Sequence, residues 1–225
     1  MKAIIVTDFA YKGPKRRGRG TGPQGLRATL RYLQYRDERN NHLAQNHNYE
    51  RWYDRGLGHH YRDIFKACDH LQSKHVLAWT WVLSPDPELM QLIPEDERRD
   101  ALADLTDSIV EDYYESRDLD TPEYSFVIHR AMTKPENGLE PLEHLHVHVV
   151  LPGTTTHGIC DRVPVYNNTE KGHDRLFREV GTKHFAETLD DLVGLEWRSL
   201  REPEPEAEPE RNLSDNYDLD DWFPR

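Results

Sequence analysis

Residues 144–153 read HLHVHVVLPG, with three histidines at every second position of an apolar run that stops at Pro152-Gly153. A strand turns successive side chains to opposite faces, so His144, His146 and His148 share one side while Leu145, Val147 and Val149 take the other. Burying several imidazoles with no metal or ligand leaves donors and acceptors unmatched, at roughly 1 to 3 kcal/mol each. Neutral imidazole is the commonest protein ligand for divalent transition metals, and two histidines at alternate strand positions reach one ion together. Spacing leaves both His144 with His146 and His146 with His148 open as the ligating pair; we favour the second, which directly precedes VVLP. A third ligand is expected from EYSFVIHRA, residues 123–131, a strand with Ser125, Val127 and His129 on one face that connects through a hairpin-length loop to the histidine-rich strand. Three histidines around an ion leave coordination positions open for a substrate oxygen.

The rest of the chain supplies the frame. Residues 2–7 read as a first strand, and residues 8–22 as a basic mobile loop, too rich in Gly, Pro and Arg to pack a core. Pro23 suits a first helical turn, Leu26, Leu30 and Leu33 make one buried stripe, and Ala28, Tyr32 and Tyr35 fall on a different face. The polar residues 40–73 hold a short helix over 61–71. HVLAWTWVLSP reads as a central strand over 75–83 with both faces covered. Residues 95–117 form an amphipathic helix with Leu102, Leu105, Ile109 and Tyr113 as its stripe, RVPVY a short strand, and residues 176–200 one or two helices. This order predicts an α+β fold, a central, largely antiparallel sheet with helices packed on it. One domain over residues 1–200 accounts for it, followed by an acidic, proline-rich, disordered tail over 201–225.

Hydrophobic residues make up 36% of the chain, and no apolar run approaches the roughly 18 residues of a membrane helix, so membrane insertion is not expected. The N-terminus has no signal-peptide pattern, which makes the cytoplasm the expected compartment. Cys68 and Cys160 are far apart and stand in no metal-type spacing, which argues against a disulfide scaffold or a zinc finger. A net charge of −12 argues against a nucleic-acid partner, but its distribution reverses that. Residues 1–36 hold nine Lys/Arg against one acid, Asp8, a local +8 that leaves −20 for the remainder. Lys12, Lys15, Arg16, Arg17 and Arg19, with Arg27 and Arg31 on the following helix, are candidate contacts to the phosphates of a single strand.

Over HLHVHVV the chain is similar to the signature of the histidine-triad nucleotide hydrolases and transferases, in which a strand histidine attacks a nucleotide phosphate without a metal. That resemblance ends at ENGLEPLE, which lacks the family's Gly-Gln pair. A second resemblance spans about residues 20–197. RYLQYRDER, SFVIHRA and HVHVVLPG, in that order, resemble the relaxase domain of mobilisation proteins, members of the HUH (His-hydrophobe-His) single-strand endonucleases. The resemblance implies a nucleophilic tyrosine, Tyr32 or, one turn later, Tyr35, and a divalent metal, Mg2+ or Mn2+, held by His129, His146 and His148, with His144 as an extra imidazole. It implies site-specific nicking and rejoining of single-stranded DNA at a transfer origin through a 5′-phosphotyrosyl intermediate, as in plasmid mobilisation and conjugation. Other mobilisation or coupling proteins are the implied partners. For the acidic residue that the family carries near the metal or the tyrosine, Glu143 and Asp86 are the candidates. A non-catalytic DNA-binding module is the third reading.

Overall fold

The computed structural model describes residues 3–15, 18, 20–40, 52–134, 140–157, 161–165 and 172–200. Among them the elements run β1 (Ile5–Lys12), α1 (Gly22–Asn40), β2 (Tyr53–Arg55), α2 (Tyr61–His70), β3 (Ala78–Pro85), α3 (Pro87–Met90), α4 (Arg98–Glu115), β4 (Tyr124–Met132), β5 (Glu143–Pro152), β6 (Thr154–His157), β7 (Asp161–Pro164) and α5 (His173–Leu192), closed by a 3-10 helix over Leu195–Leu200. Five strands form one sheet in the order β1-β3-β5-β4-β2, with every neighbouring pair antiparallel, and β6 and β7 make a separate hairpin. The fold is α+β, as the element order predicts. No helix among the described residues is long and apolar enough to cross a membrane.

The histidine-rich strand β5 occupies the middle of the sheet, and its alternation divides the molecule into two layers. Leu145, Val147, Val149 and Leu151 join Trp79 and Trp81 of β3 and Phe126 and Ile128 of β4 in the larger core, which α4 and α5 close with Leu102, Ile109, Phe177 and Phe185. Aromatic rings dominate this layer: Trp81 meets Phe177 at 4.6 Å and Tyr113 edge-on at 5.1 Å between centroids. On the opposite face Leu26, Leu30 and Leu33 of α1 and Ile64 and Cys68 of α2 cover Val127 and Val150. The leucine stripe read from the sequence is therefore the seam that seats α1 on the sheet. Its burial, roughly 1.5 to 3 kcal/mol for each leucine, holds that helix in place.

Several boundaries differ from the sequence reading, each for a local reason. β1 begins at Ile5 and continues to Lys12, so residues 8–12 are strand and not loop. Phe9 and Tyr11 extend it by packing on Trp79, at 5.9 and 5.3 Å between ring centroids. β3 starts at Ala78 because Ser73 ties the preceding residues into a turn, its hydroxyl accepting from the amides of His75 and Val76. Its two faces are not equally covered: Trp79, Trp81 and Leu83 are buried, while Thr80, Val82 and Ser84 are half-buried. α4 begins at Arg98 because residues 94–97 close a turn, the amides of Glu97 and Arg98 donating to the Pro94 carbonyl at 3.0 and 3.1 Å, while Asp86 caps the separate short α3 by accepting from the Glu88 amide at 2.9 Å. Strand β2, in the polar stretch that gave no pattern, pairs with β4 at the sheet's edge. Residues 16, 17 and 19 of the basic arm and the tail over 201–225 lie outside the described residues.

Gly153, which follows β5, leaves no room for a side chain. A Cβ there would lie 2.0 Å from the Val76 carbonyl oxygen and 2.6 Å from the Ser73 amide nitrogen, both backbone atoms. Gly153→Ala is expected to destabilise the protein by about 3 kcal/mol, read as a lower urea midpoint at unchanged slope.

Between α4 and α5, Asp112 accepts from Lys183 at 2.9 Å and from His184 at 2.8 Å. The Lys183 ammonium, then His184 and Ser116, hold its carboxyl below the usual range although partial burial pushes the other way. A depressed carboxyl contributes stability that is present above its unfolded value and is lost as the pH falls through its folded one. Asp112→Asn is therefore expected to cost on the order of 1 kcal/mol at pH 7, solvent screening allowing no more, and to flatten the loss of stability on acidification. Thermal melts of both proteins between pH 7 and pH 3 measure it.

Candidate metal centre

Antiparallel pairing between β4 and β5 sets His129 directly opposite His146, and Val127 opposite His148. Alternation keeps His129, His146 and His148 on the face covered by α1. One ligand nitrogen from each lies within 4.8 Å of the others. The rings stand 5.0 to 5.6 Å apart between centroids and are inclined to one another by 56 to 75°, so their edges converge without stacking.

The outer hydrogen bonds fix which nitrogens turn inward. His129 Nε2 donates to the backbone carbonyl of Leu33 at 2.7 Å, which leaves Nδ1 with its lone pair toward the cluster. His146 Nδ1 faces the carbonyl of His144 at 3.4 Å, which leaves Nε2 inward. His148 Nε2 is buried and has no hydrogen-bond partner among the described residues, although part of its ring remains accessible. A ligating histidine characteristically donates its other nitrogen to a carbonyl or carboxylate, which orients the ring.

Burial, joined by the positive charge of Arg36, pushes His146 down to about 3. Burial likewise holds His148 well below the ordinary histidine range. Neutral imidazoles with inward lone pairs are ready to bind a cation. The donor set is all nitrogen, which suits a transition ion; of the two ions named from the resemblance, Mn2+ fits it better than Mg2+, which prefers oxygen.

A residue that spacing did not reveal reaches into this cluster. Arg36 of α1 places Nη1 2.6 Å from His146 Nε2 and 3.3 Å from His129 Nδ1. In the sequence it counts only as one of nine basic residues; that it lies three residues beyond Leu33, on the flank of the buried stripe, is the signal that placed it.

The other candidates fall in distinct places. His144 is not part of the converging group, since its Nε2 lies 2.7 Å from Ser84 Oγ. Tyr32 is half-buried and directly precedes Leu33, whose carbonyl holds His129. Tyr35 turns to α2, its ring edge-on to Tyr61 at 6.2 Å. Arg27 and Arg31 are exposed; the Tyr61 phenol is held below the ordinary tyrosine value by the hydrogen bond it accepts from Arg62 and, to a smaller extent, by the charges of Arg62, Arg31 and Arg27. Lys15 is exposed, and Lys12 is half-buried in β1, where burial lowers its ammonium from the ordinary lysine value. Arg16, Arg17 and Arg19 lie outside the described residues. Glu143 is held by Arg130 at 2.6 Å and Arg98 at 3.4 Å, and Asp86 caps α3, so both acidic candidates have structural partners.

On the histidine face, β1 and β3 leave an open strip beside the cluster. His148 pairs across to Val82, which pairs in turn with Asp8. Val82, Thr80 and Ser84 are half-buried, while Val6, Asp8 and Ala10 are exposed.

No family model matches this chain, and no curated protein matches it by sequence. Among solved structures it is similar to the one reported as "Molecular Basis of Vancomycin Resistance Transfer in Staphylococcus aureus", with 10% sequence identity and a TM-score of 0.45 over 84% of this chain and 94% of that chain.

Proposed function

We propose that this chain is a metal-dependent enzyme that nicks and rejoins single-stranded DNA, of the relaxase type that its sequence resembles. The observation that carries the proposal is the convergence of His129, His146 and His148, from two paired strands, beneath the helix that bears Tyr32. It favours a cation cage over the histidine-triad hydrolase chemistry, in which a single strand carries the signature. Here the neighbouring strand contributes His129, and His144 turns to Ser84.

A divalent cation on the three imidazoles would act as a Lewis acid toward the non-bridging oxygens of the scissile phosphate. The protein's own residues do the rest. Leu33 holds His129 through its carbonyl, so α1 and the cage are set in one register. Tyr32, the preceding residue, is the nucleophile: its phenolic oxygen loses its proton to solvent and forms a bond to phosphorus, the bond to the leaving 3′ oxygen breaks, and that oxygen takes up a proton from solvent. The product is a 5′-phosphotyrosyl linkage and a free 3′ hydroxyl, and the reverse attack rejoins the strand. In this reading the strand lies along the open strip of β1 and β3, and the basic residues Lys15, Arg16, Arg17 and Arg19 bind its phosphates. Transfer-origin DNA is the substrate that this reading assigns, with mobilisation or coupling proteins as partners.

The test is direct. Incubation with a single-stranded transfer-origin oligonucleotide and Mn2+ is expected to give a covalent protein–DNA adduct, visible as a slower band on a denaturing gel and absent in EDTA. A nucleoside phosphoramidate hydrolysed in EDTA, with no adduct, would replace this reading by the hydrolase; binding with neither activity would leave a DNA-binding module.

A further inference from the structure

We propose that Arg36 is a resident competitor for the cation cage, and that a phosphodiester entering the site draws it out, so that metal loading and DNA binding are coupled. The proposal rests on reading His129, His146 and His148 as the metal site. Arg36 Nη1 donates to His146 Nε2 at 2.6 Å and approaches His129 Nδ1 at 3.3 Å. Those are the two nitrogens that the outer bonds to the His144 and Leu33 carbonyls leave free to face inward. A guanidinium cannot be deprotonated in a protein, so it approaches these lone pairs only as a cation. A divalent ion needs the same lone pairs. Two positive charges cannot share them at such distances in a half-buried site, so loading requires Arg36 to leave.

What receives it follows from its chemistry. Guanidinium matches phosphate oxygens in a bidentate fork, better than it matches two unconnected ring nitrogens. A phosphodiester on the open side of the bound ion offers that fork one helical turn from Tyr32. Arg36 thereby becomes a positioning residue for the scissile phosphate once the cage is filled. Linkage makes the coupling reciprocal: the strand raises metal affinity by the same factor by which the metal raises strand affinity.

Titration with Co2+, followed through its visible absorption and by calorimetry, tests this without turnover, with the oligonucleotide arm run in a Tyr32→Phe background. Arg36→Gln is expected to bind Co2+ about tenfold or more tighter than the parent, since one charge-assisted contact has been removed from the competitor. In the parent the oligonucleotide is expected to tighten Co2+ binding, and in Arg36→Gln that tightening is expected to shrink. Arg36→Lys, which keeps the charge but not the fork, is expected to stay close to the parent in Co2+ affinity and to hold the strand less well; circular dichroism establishes that both variants are folded. Equal or weaker Co2+ binding by Arg36→Gln, with binding still abolished by His148→Ala, overturns the inference and leaves the cage intact. Absence of Co2+ binding in the parent and in Arg36→Gln alike overturns the cage, and the inference with it.

Discussion

Tyr32→Phe is expected to abolish the covalent adduct, with a loss of at least about 10^4-fold in the rate of its formation, because the substitution removes the oxygen of the proposed nucleophile. The ring remains, so the packing of α1 on the sheet and the melting temperature should be unchanged within about 2 °C. Tyr35→Phe provides the contrast. Its ring stands against Tyr61, and loss of its hydroxyl should leave adduct formation within about threefold of the parent. If Tyr35→Phe silences the reaction and Tyr32→Phe does not, the nucleophile lies on the α2 side of the helix and the assignment made here is wrong.

His148→Ala should have the next largest effect. Of the three converging rings it is the one with a buried nitrogen, Nε2, that has no hydrogen-bond partner among the described residues. Removing a ligand outright should weaken Mn2+ binding by at least about 10^2-fold, more than loss of an orienting partner would. Adduct formation at saturating DNA should fall by roughly 10^3-fold, the worth of several kcal/mol of charge stabilisation. His144→Ala, whose imidazole bonds Ser84, should change Mn2+ affinity by no more than about twofold. Calorimetry with Mn2+ on the three proteins separates these outcomes. Unchanged affinity in His148→Ala would remove the cation from the site.

The period-two pattern of residues 144–151 was enough to place β5 in a sheet, one face apolar and one carrying imidazoles, because side-chain direction along a strand depends only on parity. The three-residue and four-residue spacing of Leu26, Leu30 and Leu33 likewise located the buried stripe of α1. Local chemistry of this kind needs no knowledge of neighbours. The ends of elements were less legible: β1 runs to Lys12 because Trp79 meets its aromatic residues from another strand, and β2 exists only because β4 offers it an edge.

The choice among four histidines required the third dimension. Parity gives His144, His146 and His148 the same face, and only the register that sets His129 opposite His146, with Ser84 beside His144, separates three of them from the fourth. Arg36 is a charge in the sequence and a cage contact in the fold, because the docking angle of α1, set by leucines against Val127 and Val150, decides which flank of the helix meets β4 and β5. The sequence by itself thus determined the strand, its polarity and the kind of ligand it offers. Tertiary structure alone decided which nitrogens converge and which cation they face, because convergence depends on the register between β4 and β5, and Arg36 meets His129 and His146 across 93 and 110 residues of chain.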